Sequence, residues 1–345
     1  MKESRMKKTF LNYLVIAAVA VLAAFTSCNK NGDDNDNNDN GNGNGDVYVV
    51  GSDGSIAKVW KNGVAQNLTD GTCDAVPHSV YVAGNDVYVA GIDANGGNFI
   101  AKLWKNGVMQ NLAVETDFSM ALSVYVSNGD VYVAGYDGSV AKLWKNGVAQ
   151  NLTSMDYASS VYVSGKDVYV AGCGDNGPNM AIAKVWKNGV VQNLTDGTSF
   201  AVARSVYVSG KNVYVAGDGE YEPRVRVQVA KVWKNGVAQN LTDGTRFAIA
   251  NSVYVANGDV YVAGHERYGE NCVAKLWKNG VAQNLTDGTH DAIANSVYVS
   301  GGNVYVAGYE CGDEGRGIAK LWKNGVAQNL TDGTNGAFAS SVFVK

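Results

Sequence analysis

Three histidines, His78, His265 and His290, are the only imidazoles in a chain of 345 residues. Imidazoles carry most proton transfer near neutral pH, and each needs a fixed partner to do so. None of the three has a serine, cysteine or second histidine at a spacing that builds a nucleophilic triad or a metal site. Cysteines stand at 28, 73, 173, 272 and 311, without a C-x-x-C pair. No metal and no cofactor are expected. Loop carboxylates are the remaining catalytic candidates: Glu220 with Glu222, and Glu310 with Asp313 and Glu314. Glycoside cleavage uses such pairs at defined separations. In an acidic chain, loop carboxylates are ordinarily just solvated. No glycine-rich phosphate cradle is present. The chemistry-bearing residues therefore predict a protein that is not an enzyme.

These residues belong to a repeat. Tryptophans at 60, 104, 144, 186, 233, 277 and 322 mark seven units, spaced 40 to 47 residues apart. Each unit holds four short apolar runs: a, Ser-Val-Tyr-Val (Ser205–Val208); b, Asp-Val-Tyr-Val-Ala-Gly (Asp259–Gly264); c, Ala-Lys-Leu-Trp (Ala274–Trp277); and d, Val-Ala-Gln-Asn-Leu (Val281–Leu285). Valine and tyrosine dominate a and b, which favours strands. Asn-Gly between c and d suits a two-residue type I′ hairpin. The four runs therefore form an antiparallel meander. A period in the low forties with four strands per unit resembles β-propeller repeat proteins, across residues 46–345. The Trp-Asp dipeptide of WD repeats and the once-per-repeat Gly-Gly of kelch proteins are absent, so no named propeller family is implied. Unit 1 lacks its own strand a, and a spare one stands at Ser341–Val344. The fold expected is all-β: a seven-bladed β-propeller closed by the C-terminal strand completing blade 1. A β-solenoid is the alternative.

In such a blade the a–b and c–d turns emerge on one rim, and the b–c and d–a loops on the other. The first rim is nearly uniform, with Lys-Asn-Gly seven times. The second differs from blade to blade. Confining diversity to one side of a rigid scaffold is how binding surfaces are usually built, although loops without packing duties also drift. The residue before each strand a should approach the central channel, giving a polar ring that includes His78, Arg204, Asn251 and Asn295. Arg246, His265 and His290 occupy loops of the same rim, with the aromatics Tyr221, Tyr268 and Tyr309. Aromatics beside Asn, Asp and Arg can stack on sugars or anchor a protein partner. Those ten residues are the candidate ligand-binding set. The function expected is a binding module for a glycan, peptide or protein. The alternatives are a propeller polysaccharide lyase or glycoside hydrolase, or a structural subunit of an outer-membrane complex.

The remaining residues resemble targeting signals. Lys7-Lys8 precedes an apolar run, Leu14–Phe25, too short to span a bilayer. Phe25-Thr26-Ser27-Cys28 resembles a bacterial lipobox, whose cysteine is lipidated and becomes the mature N-terminus. Met6 is a second candidate start. Three segments follow: a lipoprotein signal peptide at 1–27, a lipidated Cys28 with a disordered Asn/Asp/Gly tether at 28–45, and the propeller at 46–345. A tether of that length reaches about 20–25 Å. Its aspartates resemble sorting tracts of surface-exported lipoproteins, and a plain solvated spacer has the same composition. The location implied is the cell envelope, lipid-anchored at the outer membrane on either its inner or its surface-exposed face, with membrane contact through the Cys28 lipid alone. Without residues 1–27 the net charge moves from −4 to −7, which leaves no basic field for nucleic acid. The domain is expected to be monomeric. Cys272 and Cys311 fall at matching loops of neighbouring units, where either a disulfide or two free thiols fit.

Overall fold

A computed structural model describes residues 45–95, 98–113, 118–154, 156–177, 180–220 and 227–345. Cys28 and the segments before residue 45 lie outside the described residues. Twenty-eight strands among the described residues, β1 to β28 in chain order, form seven four-stranded antiparallel sheets. Six sheets each take four consecutive strands, in the order a to d. The seventh is β28 (Ala337–Val344), β1 (Val47–Asp53), β2 (Ile56–Lys61) and β3 (Val64–Asn67). Tyr48 stands opposite Phe343, and the Lys345 amide donates to the Asp46 carbonyl at 2.9 Å. The chain is thus a seven-bladed propeller closed by its last strand, as the offset strand count predicts. Blade 1 is the closing sheet, and blades 2 to 7 follow in chain order.

Local chemistry accounts for the meander. Asn62 and Gly63 have φ of 51° and 83°, and the other c–d turns repeat this pair of left-handed residues. That is the type I′ geometry. The Asn62 side chain accepts from the Val47 amide and donates to Asp46, which ties the c–d turn to the start of strand b. Each tryptophan is at most 1% exposed. Trp60 packs against Ala307, Ala319 and Leu321 of blade 7, so the indoles join neighbouring blades. Strand d faces outward, with all four residues exposed in β3.

The seven a strands meet in the centre and are stitched into a ring. The serine of each Ser-Val-Tyr-Val (Ser-Val-Phe-Val in β28) accepts a hydrogen bond from the first valine amide in the next blade, at 3.1–3.3 Å. Val80 to Ser341 closes the circle. The tyrosines make a second ring, Tyr81–Tyr125–Tyr162–Tyr207–Tyr254–Tyr298, completed by Phe343. Neighbouring centroids lie 4.7–5.0 Å apart at interplanar angles of 46–52°. Sevenfold rotation turns each blade by about 51°, so the rings stand nearly parallel to the channel axis.

The lysines that flank each tryptophan behave differently from one another. Lys61 and its counterparts lie over the strand-b tyrosine, 5.3–5.5 Å from its centroid. The inner set is buried or partly buried, where a long lysine ordinarily keeps its ammonium in water. Lys102 and Lys275 are 4% exposed and pair with Asp93 and Glu266. In five blades strand b carries an acid beside that lysine, and the charge is held by it.

Candidate functional site

One rim gathers the diverse residues, and two columns of the repeat build it. The first column is a bulge. Each strand a has one residue too many opposite strand b, immediately before its serine. The bulged residues are His78, Leu122, Ser159, Arg204, Asn251, Asn295 and Ser340, the ring predicted to approach the channel. A close approach fixes the facing glycine: a Cβ on Gly264 would lie 2.0 Å from the Ile249 carbonyl oxygen. The second column is the residue after that glycine: Ser52, Ile92, Tyr136, Cys173, Asp218, His265 and Tyr309. Six residue types occupy seven copies of a strand otherwise almost invariant. All but Tyr309 are at most 6% exposed.

Three bulged side chains bridge to the next blade. His78 Nδ1 lies 3.0 Å from the Ala121 carbonyl, Asn251 donates to Ala294 and Asn295 to Ala339, at 3.0 and 2.9 Å. Burial pushes the His78 imidazole below its ordinary range. Arg204 breaks the pattern. Its Nε donates to Asp218 Oδ1 at 2.6 Å within its own blade, with the arginine side chain 28% exposed and the aspartate fully buried. Its Nη donors have no partner among the described residues. Asp218 Oδ2 is buried without a hydrogen bond, and so is His265 Nδ1 in blade 6. Burial pushes the Asp218 carboxyl up against the pull of Arg204. Burial, with Arg204 and Arg267 nearby, pushes His265 down to about 3. Cys173 of blade 4, beside Arg204 and Asp218, is pushed up to about 12 chiefly by burial.

The inner lysines sharpen the contrast. In blades 1 to 3, 6 and 7 the strand-b acid pairs with the lysine. In blade 4 glycine replaces that acid, and Asp156 takes its place on Lys184 at 2.9 Å. In blade 5 Gly219 replaces it and nothing does: Lys231 Nζ sits 3.6 Å from where a Gly219 Cβ would be, without an ion pair among the described residues. Burial lowers the Lys231 ammonium, opposed only by Asp218.

The other predicted residues fall into separate groups. Arg246 lies over the Tyr268 ring at 4.4 Å, and Lys275 bonds both Tyr268 and Glu266. His290 Nε2 lies 3.0 Å from Asp313 Oδ1 on the exposed junction of blades 6 and 7. Tyr309 lies near Asp291, Cys272 and Cys311, and burial raises its phenol. Cys272 and Cys311 are free, each with its amide bonded to Asp291. His78 is in blade 2, away from the Arg204 group. Tyr221 lies outside the described residues. Across blades 2 to 4 the rim is apolar: Ile92, Met120 and Tyr136 pack with Phe99, Phe118 and Tyr157. The arginines mark the other sector: among the described residues they are Arg204, Arg246, Arg267 and Arg316, all in blades 5 to 7.

No protein-family model matches the chain, and no curated protein is similar to it in sequence. Solved structures are similar in fold. The β-propeller domain of the Trilobed protease from Pyrococcus furiosus matches with a TM-score of 0.54 at 12% identity, over 84% of this chain and 93% of that one. That domain is described as having an open velcro topology; here β28 pairs with β1. A puromycin-hydrolysing peptidase of Mycobacterium tuberculosis matches with a TM-score of 0.55 at 11% identity, over 81% of this chain and half of the peptidase. At such identities the likeness shows the propeller fold alone.

Proposed function

We propose that the propeller is an interaction module that captures its ligand on the b–c/d–a rim. One observation carries the reading. The residue after the strand-b glycine is buried in six of seven blades, yet it takes six residue types. Drift varies exposed loops; a varied column buried in an otherwise repeated core shapes the rim above it. The polar groups it leaves unpartnered supply recognition at little reorganisation cost. Cys28 would hold the module to the outer membrane. Strand b starts at the uniform rim, where Asp46 meets the Asn62 turn. A tether entering there directs the diverse rim away from the anchor.

The test is capture on glycan and peptide arrays. Replacing Arg246, Tyr268 and His290 together by alanine is expected to weaken capture at least tenfold, whereas replacing Lys166, Lys211 and Asn85 on the uniform rim leaves it unchanged. Equal capture by both variants and the parent refutes the reading. Release of reducing ends from a polysaccharide panel would instead make the protein a propeller lyase or hydrolase.

A further inference from the structure

We infer that the mouth of the channel between blades 4 and 6 is a receptor for a carboxylated sugar, with Arg204 gripping the carboxylate. The inference rests on the binding-rim reading and names its chemistry. Arginine presents a rigid planar fork that matches a carboxylate in two parallel hydrogen bonds. Here Asp218 occupies the Nε side of the guanidinium at 2.6 Å and fixes its orientation. The Nη edge is left for a second oxyanion, and the side chain is open enough to meet one.

Two further atoms define what the carboxylate is attached to. Asp218 Oδ2 and His265 Nδ1 are buried and unpartnered on adjacent blades, in residues 0% and 5% exposed. A buried polar atom left unpaired forfeits its hydration without a replacement bond. A ligand that brings hydroxyl groups close to its carboxylate satisfies them: Asp218 Oδ2 accepts one O–H, and His265 Nδ1 accepts or donates according to its tautomer. A uronic acid has that arrangement, a carboxylate on a ring of hydroxyls. Lys231, the inner lysine with no ion pair among the described residues, adds a positive charge beside Asp218. An acidic peptide fits less well. Its side-chain carboxylates carry no hydroxyls to meet Asp218 Oδ2 and His265 Nδ1.

Calorimetric titration of the full chain tests this with four probes: a uronic-acid tetrasaccharide, its carboxyl-reduced form, a glutamate-rich tetrapeptide and sodium acetate. The tetrasaccharide is expected to bind, and the reduced form to bind at least tenfold more weakly. Arg204→Lys and the charge-neutral pair Arg204→Gln/Asp218→Asn should each lose at least tenfold for the tetrasaccharide. The double variant avoids a buried unpaired aspartate, and its melting temperature shows that it folds. His265→Gln should weaken the tetrasaccharide and leave acetate unchanged. Equal binding of the peptide, with equal loss in the variants, overturns the sugar assignment in favour of carboxylates generally. Tetrasaccharide binding that ignores both Arg204 variants, or no binding, overturns the site. The array comparison of the two rims would then still stand or fall separately.

Discussion

His265 makes a measurable pH signature. Burial first, then Arg204 and Arg267, hold it down to about 3, against an ordinary value of about 6.5. The folded protein therefore keeps it neutral where the unfolded chain takes a proton. Its contribution is intact above pH 6.5 and is lost as pH falls toward 3, at about 1.4 kcal/mol per pH unit. His265→Gln should flatten the fall in urea-unfolding free energy between pH 6.5 and 4.5 by about that slope. Parallel pH profiles for variant and parent would show that the imidazole titrates alike in both states. The imidazole itself was readable from sequence. Its neighbours were not, because Arg204 and His265 are brought together only by the packing of adjacent blades. Asp218 is hidden in the sequence for a different reason: followed by glycine, it reads as the start of a loop. The structure puts it in strand b of blade 5 (Asn212–Glu220). Comparing the column across the seven copies would have found it.

At the scale of the strand, the serine ring predicts an energetic symmetry. Ser341→Ala removes the partner of the Val80 amide at the closing seam, and Ser296→Ala does the same for Val342 between blades 7 and 1. Each should cost about 1 kcal/mol, the usual consequence of one unmade hydrogen bond. The two urea midpoints should shift alike, with unchanged denaturant slopes. A much larger loss for Ser341 would mean that the seam is weaker than the other junctions. The strands themselves were legible where valine and tyrosine are dense. Strand a is longer than its sequence pattern. In blade 6 it runs Ala248–Ala256, although only Ser252–Val255 carries the pattern. Its first half, Ala-Ile-Ala-Asn, ends in the bulge, and the extra residue disrupts the alternation on which strand reading depends.

The whole disk depends on a seam that is chemically the same as its other junctions. Joining Lys345 to Asp46 by a short linker and opening the chain between Asn257 and Gly258 moves the seam into blade 6. That permutant should fold to the same structure and melt within a few degrees of the parent, by thermal denaturation of both. A collapse in melting temperature would show that the Ala337–Val344 seam is required where it is. Period and blade number were legible because each is written seven times, and closure because unit 1 lacks a strand a that Ser341–Val344 supplies. The Arg204 sector was not, because its members are singular in the sequence and meet only once the ring is formed.

The serine and ring hydrogen bonds around the channel treat all seven central strands as equals. In that serine and aromatic ring, β28 differs from its six counterparts only by Phe343 in place of a tyrosine. Correct closure is left to proximity along one chain. When two nascent copies lie close together, the final strand of each can complete the first blade of the other, and crowding during synthesis becomes a hazard that this architecture carries by construction.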